Sequence, residues 1–290
     1  MGLQLTLLIV MFAFGHQDSR KFIDLLLQVT NNKWANIDVN KEVKVGDFGR
    51  VDQTTGEFLV EGNLYELAET KPVMESYPVQ TTVPTKFEKY LSKGVKEVSI
   101  SPSVNVGIPS IADVGFVGKW EFKSNKGALL VLLAPRISTM RGFPTGTMLE
   151  KRFESVLKHR VVCTDVVSCP AVCLYLGRNK DHVFELSLKT DAPIPVAAPV
   201  TVGGNVDVKW NSSNAQGLIK EGVDPDGKYS FYPLYGLKQV NWGRVGIAVR
   251  GDRPGNGEED VLEEVYAPWD ELDDEGEELD FAVDSGEPIE

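Results

Sequence analysis

The strongest pattern in the chain runs from Leu149 to Lys189. Over Met148–Lys158, Leu149, Phe153, Val156 and Leu157 recur at helical spacing while Lys151, Arg152 and Lys158 fall elsewhere, which predicts a short amphipathic helix with a cationic side. Val161 to Leu176 is β-branched and almost free of charge. Beyond the turn-forming Gly177-Arg178-Asn179-Lys180-Asp181, Val183, Phe184, Leu186 and Leu188 alternate with Glu185, Ser187 and Lys189. The two segments together predict a hairpin with one apolar face.

A second alternating pair lies upstream. Val98 and Ile100 stand against Glu97, Ser99 and Ser101, and Phe116, Gly118, Trp120 and Phe122 against Val117, Lys119, Glu121 and Lys123, with a loop at Gly107–Val114. Ala128-Leu129-Leu130-Val131-Leu132-Leu133-Ala134, bounded by Gly127 and Pro135, predicts a fully buried central strand. Phe22, Ile23, Leu25, Leu26 and Leu27 predict a short buried segment, Asn31-Asn32-Lys33-Trp34 a turn, and Glu57–Glu66 a strand after the loop Asp52–Gly56. The expected fold class is α+β: a twisted, mainly antiparallel sheet with two long amphipathic β-hairpins and flanking short helices, plus a short acidic carboxy-terminal segment. Such hairpins either close a core or, at about nine to eleven residues a strand, meet the requirement of a transmembrane β-strand.

Charge changes this picture once it is divided. The 290 residues carry a net charge of −12, but the tail after Gly257 holds 16 acidic residues and no Lys or Arg. The first 257 residues hold the other 26 acids and all 30 bases, so the body is +4 and the tail −16. A basic body suits a polyanion, and an acidic tail on the same chain can compete for that surface. Val261, Leu262, Val265, Tyr266, Trp269, Leu272, Leu279 and Phe281 in the tail predict that it docks instead of floating free.

Candidate chemistry is thin. Cys163, Cys169 and Cys173 lie in one apolar stretch at spacings that fit no zinc site and read as buried, reduced thiols. His16, His159 and His182 are scattered without a nucleophile motif, Asp224-Pro225-Asp226-Gly227 is a turn, and no phosphate-binding glycine loop is present, so no catalysis, cofactor or metal is expected. No stretch reaches the roughly eighteen apolar residues of a transmembrane helix. Gly2–Gly15 is strongly apolar and fits three readings: a signal peptide cut at Ala13-Phe14-Gly15, a helix that docks or enters lipid, or, from Met1-Gly2-Leu3-Gln4-Leu5-Thr6, a myristoylation site.

The segments FIDLLLQV, NKWANID, VKVGDFGRVDQTTGEFLVEGNLYE, PRIS, MLEKRFESVL and VVCTDVVSCPAVCLYLGRN occur in an order that resembles the fungal members of the gasdermin family, over Arg20 to Val240. The resemblance implies a pore-forming executor of regulated cell death, of the heterokaryon-incompatibility type. It implies two hairpin regions that extend into transmembrane strands on oligomerisation, restrained by a short carboxy-terminal segment. On that plan residues 20–240 are the pore-forming domain and 241–290 a linker and acidic inhibitory tail, preceded here by an apolar amino-terminal segment, 1–19. The apolar start before Arg20 departs from the plan.

The basic body and the resemblance agree on candidate residues. Lys21, Lys33, Trp34, Lys41, Lys44, Lys151, Arg152, Lys158 and Arg160 are the expected lipid-binding set, covered in part by the tail. Arg250 to Asp260, with Arg250, Arg253 and Gly257, is the expected processing segment because its Gly, Pro and Asn leave it open to a protease. Expected partners are anionic membrane phospholipids, further copies of the chain or an allelic variant, and an activating protease, and not nucleic acid. The protein is expected in the cytoplasm at rest and at a cell membrane when active. A secreted toxin, resting on the apolar start and Asn211-Ser212-Ser213, and a cytosolic polyanion-binding module are the alternatives.

Overall fold

Four prolines organise the sheets. A proline has no N–H to give a ladder, so it suits places where a strand ends or a ribbon turns a corner. The computed structural model describes residues 15–103, 114–143, 151–191, 195–196, 198–199, 202–210, 217–242, 261–273 and 278. Its elements are α1 (His16–Leu27), β1 (Lys33–Ala35), β2 (Asp47–Val51), β3 (Phe58–Asn63), α2 (Lys71–Met74), β4 (Val79–Thr81), β5 (Phe87–Leu91), β6 (Val95–Ser103), β7 (Val114–Phe122), β8 (Gly127–Leu133) and β9 (Arg136–Met140). They continue with α3 (Lys151–Leu157), β10 (Val161–Cys169), β11 (Ala171–Gly177), β12 (His182–Asp191), β13 (Pro195–Val196), β14 (Ala198–Pro199), β15 (Val202–Trp210), β16 (Gly217–Val223), β17 (Phe231–Val240) and β18 (Leu262–Glu264).

Pro84 separates β4 from β5, Pro135 β8 from β9, Pro170 β10 from β11, and Pro225 β16 from β17. On one side of this corner β4, β9, β10 and β17 are neighbours in the first sheet, which also holds β1, β2, β3 and β18. On the other side β5, β8, β11 and β16 form a second, four-stranded sheet in the same order. At a second corner, where 92–94, 123–126 and 178–181 are short turns, the same ribbons pass into a third sheet, β6, β7, β12 and β15, again in that order. Four continuous antiparallel ribbons therefore run through all three sheets. The class is α+β, mostly antiparallel sheet with a few short helices.

Side-chain pattern decides which layer each strand occupies. β8 and β11 are apolar on both faces and every residue of each is buried, as befits the inner strands of the middle sheet. Leu129, Val131, Leu133, Ala171, Cys173 and Tyr175 point into a core shared with Trp120, Phe122, Phe184, Leu186 and Leu188 of the third sheet. Ala128, Leu130, Leu132, Val172, Leu174 and Leu176 point the other way, into the core with α1 and the first sheet. The third sheet is folded back over the middle one.

Several expectations change here. β11 and β12 are not a hairpin: β11 pairs with β8 and β16, while β12 pairs with β7 and β15. A strand buried on both faces and one that alternates belong in different layers, so Gly177–Asp181 is a corner. β12 and β15 form the second long antiparallel pair. The pair β6–β7 is as expected, but Val98 sits at a bulge between Glu97 and Ser99 and is 52% exposed, off the apolar face. The sequence reads Gly46-Asp47-Phe48-Gly49 as a turn, but Gly46 alone turns the chain, at φ 89, and Asp47 already begins β2. α1 runs across the division expected between residues 19 and 20. Phe153 and Leu157 of α3 are buried as its pattern predicts. The Gly2–Phe14 stretch, the loop 104–113, Leu149, Leu279, Phe281 and the segment with Arg250, Arg253 and Gly257 lie outside the described residues.

Candidate functional site

The described part of the acidic tail, 261–273 and 278, lies on the first sheet and α1. Asn241 donates its backbone N–H to the Val261 carbonyl at 2.9 Å, and β18 then pairs with β17 in the register Lys238–Glu264, Gln239–Glu263 and Val240–Leu262. β1 pairs with the preceding residues of β17, so β1 and β18 share one edge of that strand end to end. Val261 is 1% exposed. Trp269 meets Trp34 edge to face at 6.0 Å and 76°. It fills the space that the missing side chain of Gly56 leaves: a Cβ there would stand 2.8 Å from Trp269 Cη2 and 2.6 Å from Ile23 Cδ1. Leu272 is buried, and its carbonyl accepts a hydrogen bond from Lys21 Nζ at 2.9 Å.

Ion pairs also join tail to body, among them Arg20 to Glu278 and Lys238 to Glu264, each at 3.2 Å. Partly exposed pairs of this kind contribute about 0–1 kcal/mol, whereas each fully buried apolar side chain contributes about 1.5–3 kcal/mol. Val261, Trp269 and Leu272 therefore hold the tail more than its charge does. The indole N–H groups of Trp34 and Trp269 are buried and make no hydrogen bond among the described residues, which costs about 1–3 kcal/mol each. The dock is an apolar clamp with a built-in cost. Beside it, burial pushes the Asp24 carboxyl above its ordinary range, Lys21 opposes this, and Glu271 of the tail adds to it.

Of the expected lipid-binding residues, Lys21 and Trp34 are brought together under the tail, and Trp34 is completely buried. Five others have carboxylate partners in the body. Lys33 pairs with Asp165 and Lys41 with Glu57, while Lys44 lies 3.3 Å from Glu66 and Lys158 3.4 Å from Glu154. Arg160 pairs with Glu61 and donates to the Ser155 and Val156 carbonyls, so it also caps the end of α3. Lys151 and Arg152 stand in the first turn of α3, their side chains outside the described residues. Arg20 and Lys238, which the sequence does not single out, hold the tail.

A second constellation occupies the corner between the middle and third sheets. Asp18, in the first turn of α1 and buried, accepts hydrogen bonds from Lys126 Nζ at 2.9 Å and from the Arg178 guanidinium. Lys126 belongs to the turn between β7 and β8, and Arg178 to the turn between β11 and β12. Burial works to raise the Asp18 carboxyl, but the bonds from Lys126 and Arg178 outweigh it and hold the group below its ordinary value. Next to them His182, 1% exposed, stacks on Phe122 at 4.7 Å. Its Nδ1–H donates to the Asn179 carbonyl at 2.6 Å, and its Nε2 accepts from the Tyr175 hydroxyl at 2.8 Å. Burial pushes this imidazole below its ordinary pKa, against the weaker pull of the Asn179 bond, so it is neutral.

No group of three His, Cys, Asp or Glu fit to hold a metal occurs among the described residues. The three cysteines are free and buried on β10 and β11, with thiols that burial pushes upward. No described helix is long and apolar enough to cross a membrane. Compared with protein-family models, with curated proteins and with solved structures, the chain matches none.

Proposed function

We propose that this protein is a gasdermin-like membrane pore former, an executor of regulated cell death that its acidic tail restrains. The observation that carries the reading is the third sheet. Its strands β6, β7, β12 and β15 hold 9, 9, 10 and 9 residues, the length at which a β-strand crosses a bilayer. They are side by side already, each joined through the same corner to a strand of the middle sheet. Straightening that corner would turn Trp120, Phe122, Phe184, Leu186 and Leu188 out of the core and toward lipid, leaving Lys119 and Glu185, paired at 2.8 Å, on the opposite face. β6 and β15 are the two edges of this sheet. In hydrocarbon those edges must be paired, and pairing β6 of one copy with β15 of the next closes a ring.

Loss of the tail removes 16 negative charges and leaves a body of net positive charge. It uncovers Lys21 and Trp34, a cation and an aromatic suited to the headgroup layer. Release occurs by proteolysis in the segment containing Arg250, Arg253 and Gly257, or by a partner chain that displaces the tail. A protease site introduced in this segment allows a direct test. Flotation with anionic and with zwitterionic vesicles should recover the cut chain as oligomers on the anionic ones only; equal recovery before and after cutting would count against tail control.

A further inference from the structure

The helix α1 touches both constellations. Toward its amino-terminal end, Asp18 is bonded to Lys126 and Arg178, one from each of two turns at which the ribbons pass between the middle and third sheets. Three and five residues further along, Lys21 donates to the Leu272 carbonyl and Ile23 lies with Trp269 against Gly56. The tail thus holds the helix, and the helix holds the corner.

We propose that α1 is a relay in which Asp18 is the positioning residue that clamps the corner, so that undocking the tail loosens α1 and unlocks the two turns. The physical basis is desolvation. Lys126, at 12% side-chain exposure, has its charge balanced by a carboxylate carried on a different element. Withdrawing that carboxylate leaves a buried ammonium that gains by moving into water, and the turn that carries it must move with it. Two backbone bonds at the corner report the event: Lys123 N–H to the Gly94 carbonyl at 2.8 Å and Asp181 N–H to the Phe122 carbonyl at 2.7 Å. The inference rests on the pore-forming reading for its consequence, since this is the corner that would straighten, but the coupling itself is measurable without a membrane.

The test is amide hydrogen exchange on the full chain carrying Trp269→Ala, Asp18→Asn, or both. Trp269→Ala should free the Asn241 amide, which marks the tail, and speed exchange at Lys123 and Asp181 about tenfold. Asp18→Asn should speed Lys123 and Asp181 by a similar factor while Asn241 stays protected. In the double variant Trp269→Ala should add nothing further at the corner, because its path has already been cut. Should Trp269→Ala alone leave the tail docked, Leu272→Ala is added to it. Should Asp18→Asn unfold the whole chain, Arg178→Gln, at a half-exposed position, replaces it in the same comparison. Corner amides that ignore a freed tail, or that respond additively in the double variant, overturn the relay. Dye leakage from anionic vesicles by the same proteins separates the two claims: coupling without leakage overturns the pore and leaves the relay standing, and leakage with unmoved corner amides overturns the relay alone.

Discussion

Replacing Trp269 by alanine should undock the tail without cutting the chain. The side chain is 9% exposed, and a buried tryptophan removes about 200 Å² from water, which at about 25 cal/mol per Å² stabilises the dock by about 5 kcal/mol. The unpaired indole N–H takes back about 1–3 kcal/mol, and that cost vanishes with the side chain. The net loss is about 2–4 kcal/mol, a shift of about 30- to 1000-fold in the docking equilibrium. What remains includes Val261, Leu272, three residues of strand pairing, the Lys21 bond to the Leu272 carbonyl, and ion pairs of small value. Hydrogen exchange at the Asn241 amide, bonded to the Val261 carbonyl, reads the equilibrium directly. A change of less than threefold there would refute the reasoning that apolar anchors outweigh charge. Loss of docking in high salt with Trp269 intact would refute it equally.

Other consequences follow from named contacts. Because burial holds His182 below 6.5 and neutral, the unfolded chain binds the proton first as the medium is acidified; stability should fall as pH drops below 6.5, by up to about 1.4 kcal/mol per pH unit, and denaturant titrations of His182→Gln should lack that component. Gly49→Ala would place a Cβ 1.9 Å from the Leu59 carbonyl oxygen, so β2 and β3 must part, with an expected loss of about 1–3 kcal/mol in equilibrium denaturation. Lys44 is exposed beside Glu66; its replacement by alanine should leave folding unchanged and weaken binding of the released body to anionic vesicles about fivefold in flotation at low salt, an effect that high salt erases.

Much of the framework was legible in local pattern. The uncharged run at Ala128–Ala134 could only be an inner strand, the spacing of Phe153 and Leu157 could only face one side of a helix, and Val261, Trp269 and Leu272 marked a tail that docks. Alternation states which face of a strand is apolar but says nothing about its partner. Gly177–Asp181 therefore looked like a hairpin turn when it is a corner between layers. The four prolines mark only the other corner, between the first and middle sheets, and none stands in Gly177–Asp181 to tell it from a hairpin turn. The Asp18 cluster was invisible for another reason: its partners lie 108 and 160 residues away, and no sequence period links them. Lys33, Lys41, Lys44, Lys158 and Arg160 read as a free cationic surface because a sequence shows charges without their pairing. In the fold each meets a carboxylate of the body.

Dye release from vesicles, with a protease site placed between Arg250 and Gly257 and cut in their presence, bears most directly on the central claim. The account predicts that the intact chain leaves anionic and zwitterionic vesicles sealed and that the cut chain empties the anionic ones. Anionic vesicles that stay sealed after complete cutting would contradict it, and the four adjacent strands of the third sheet would then be the wall of an ordinary core.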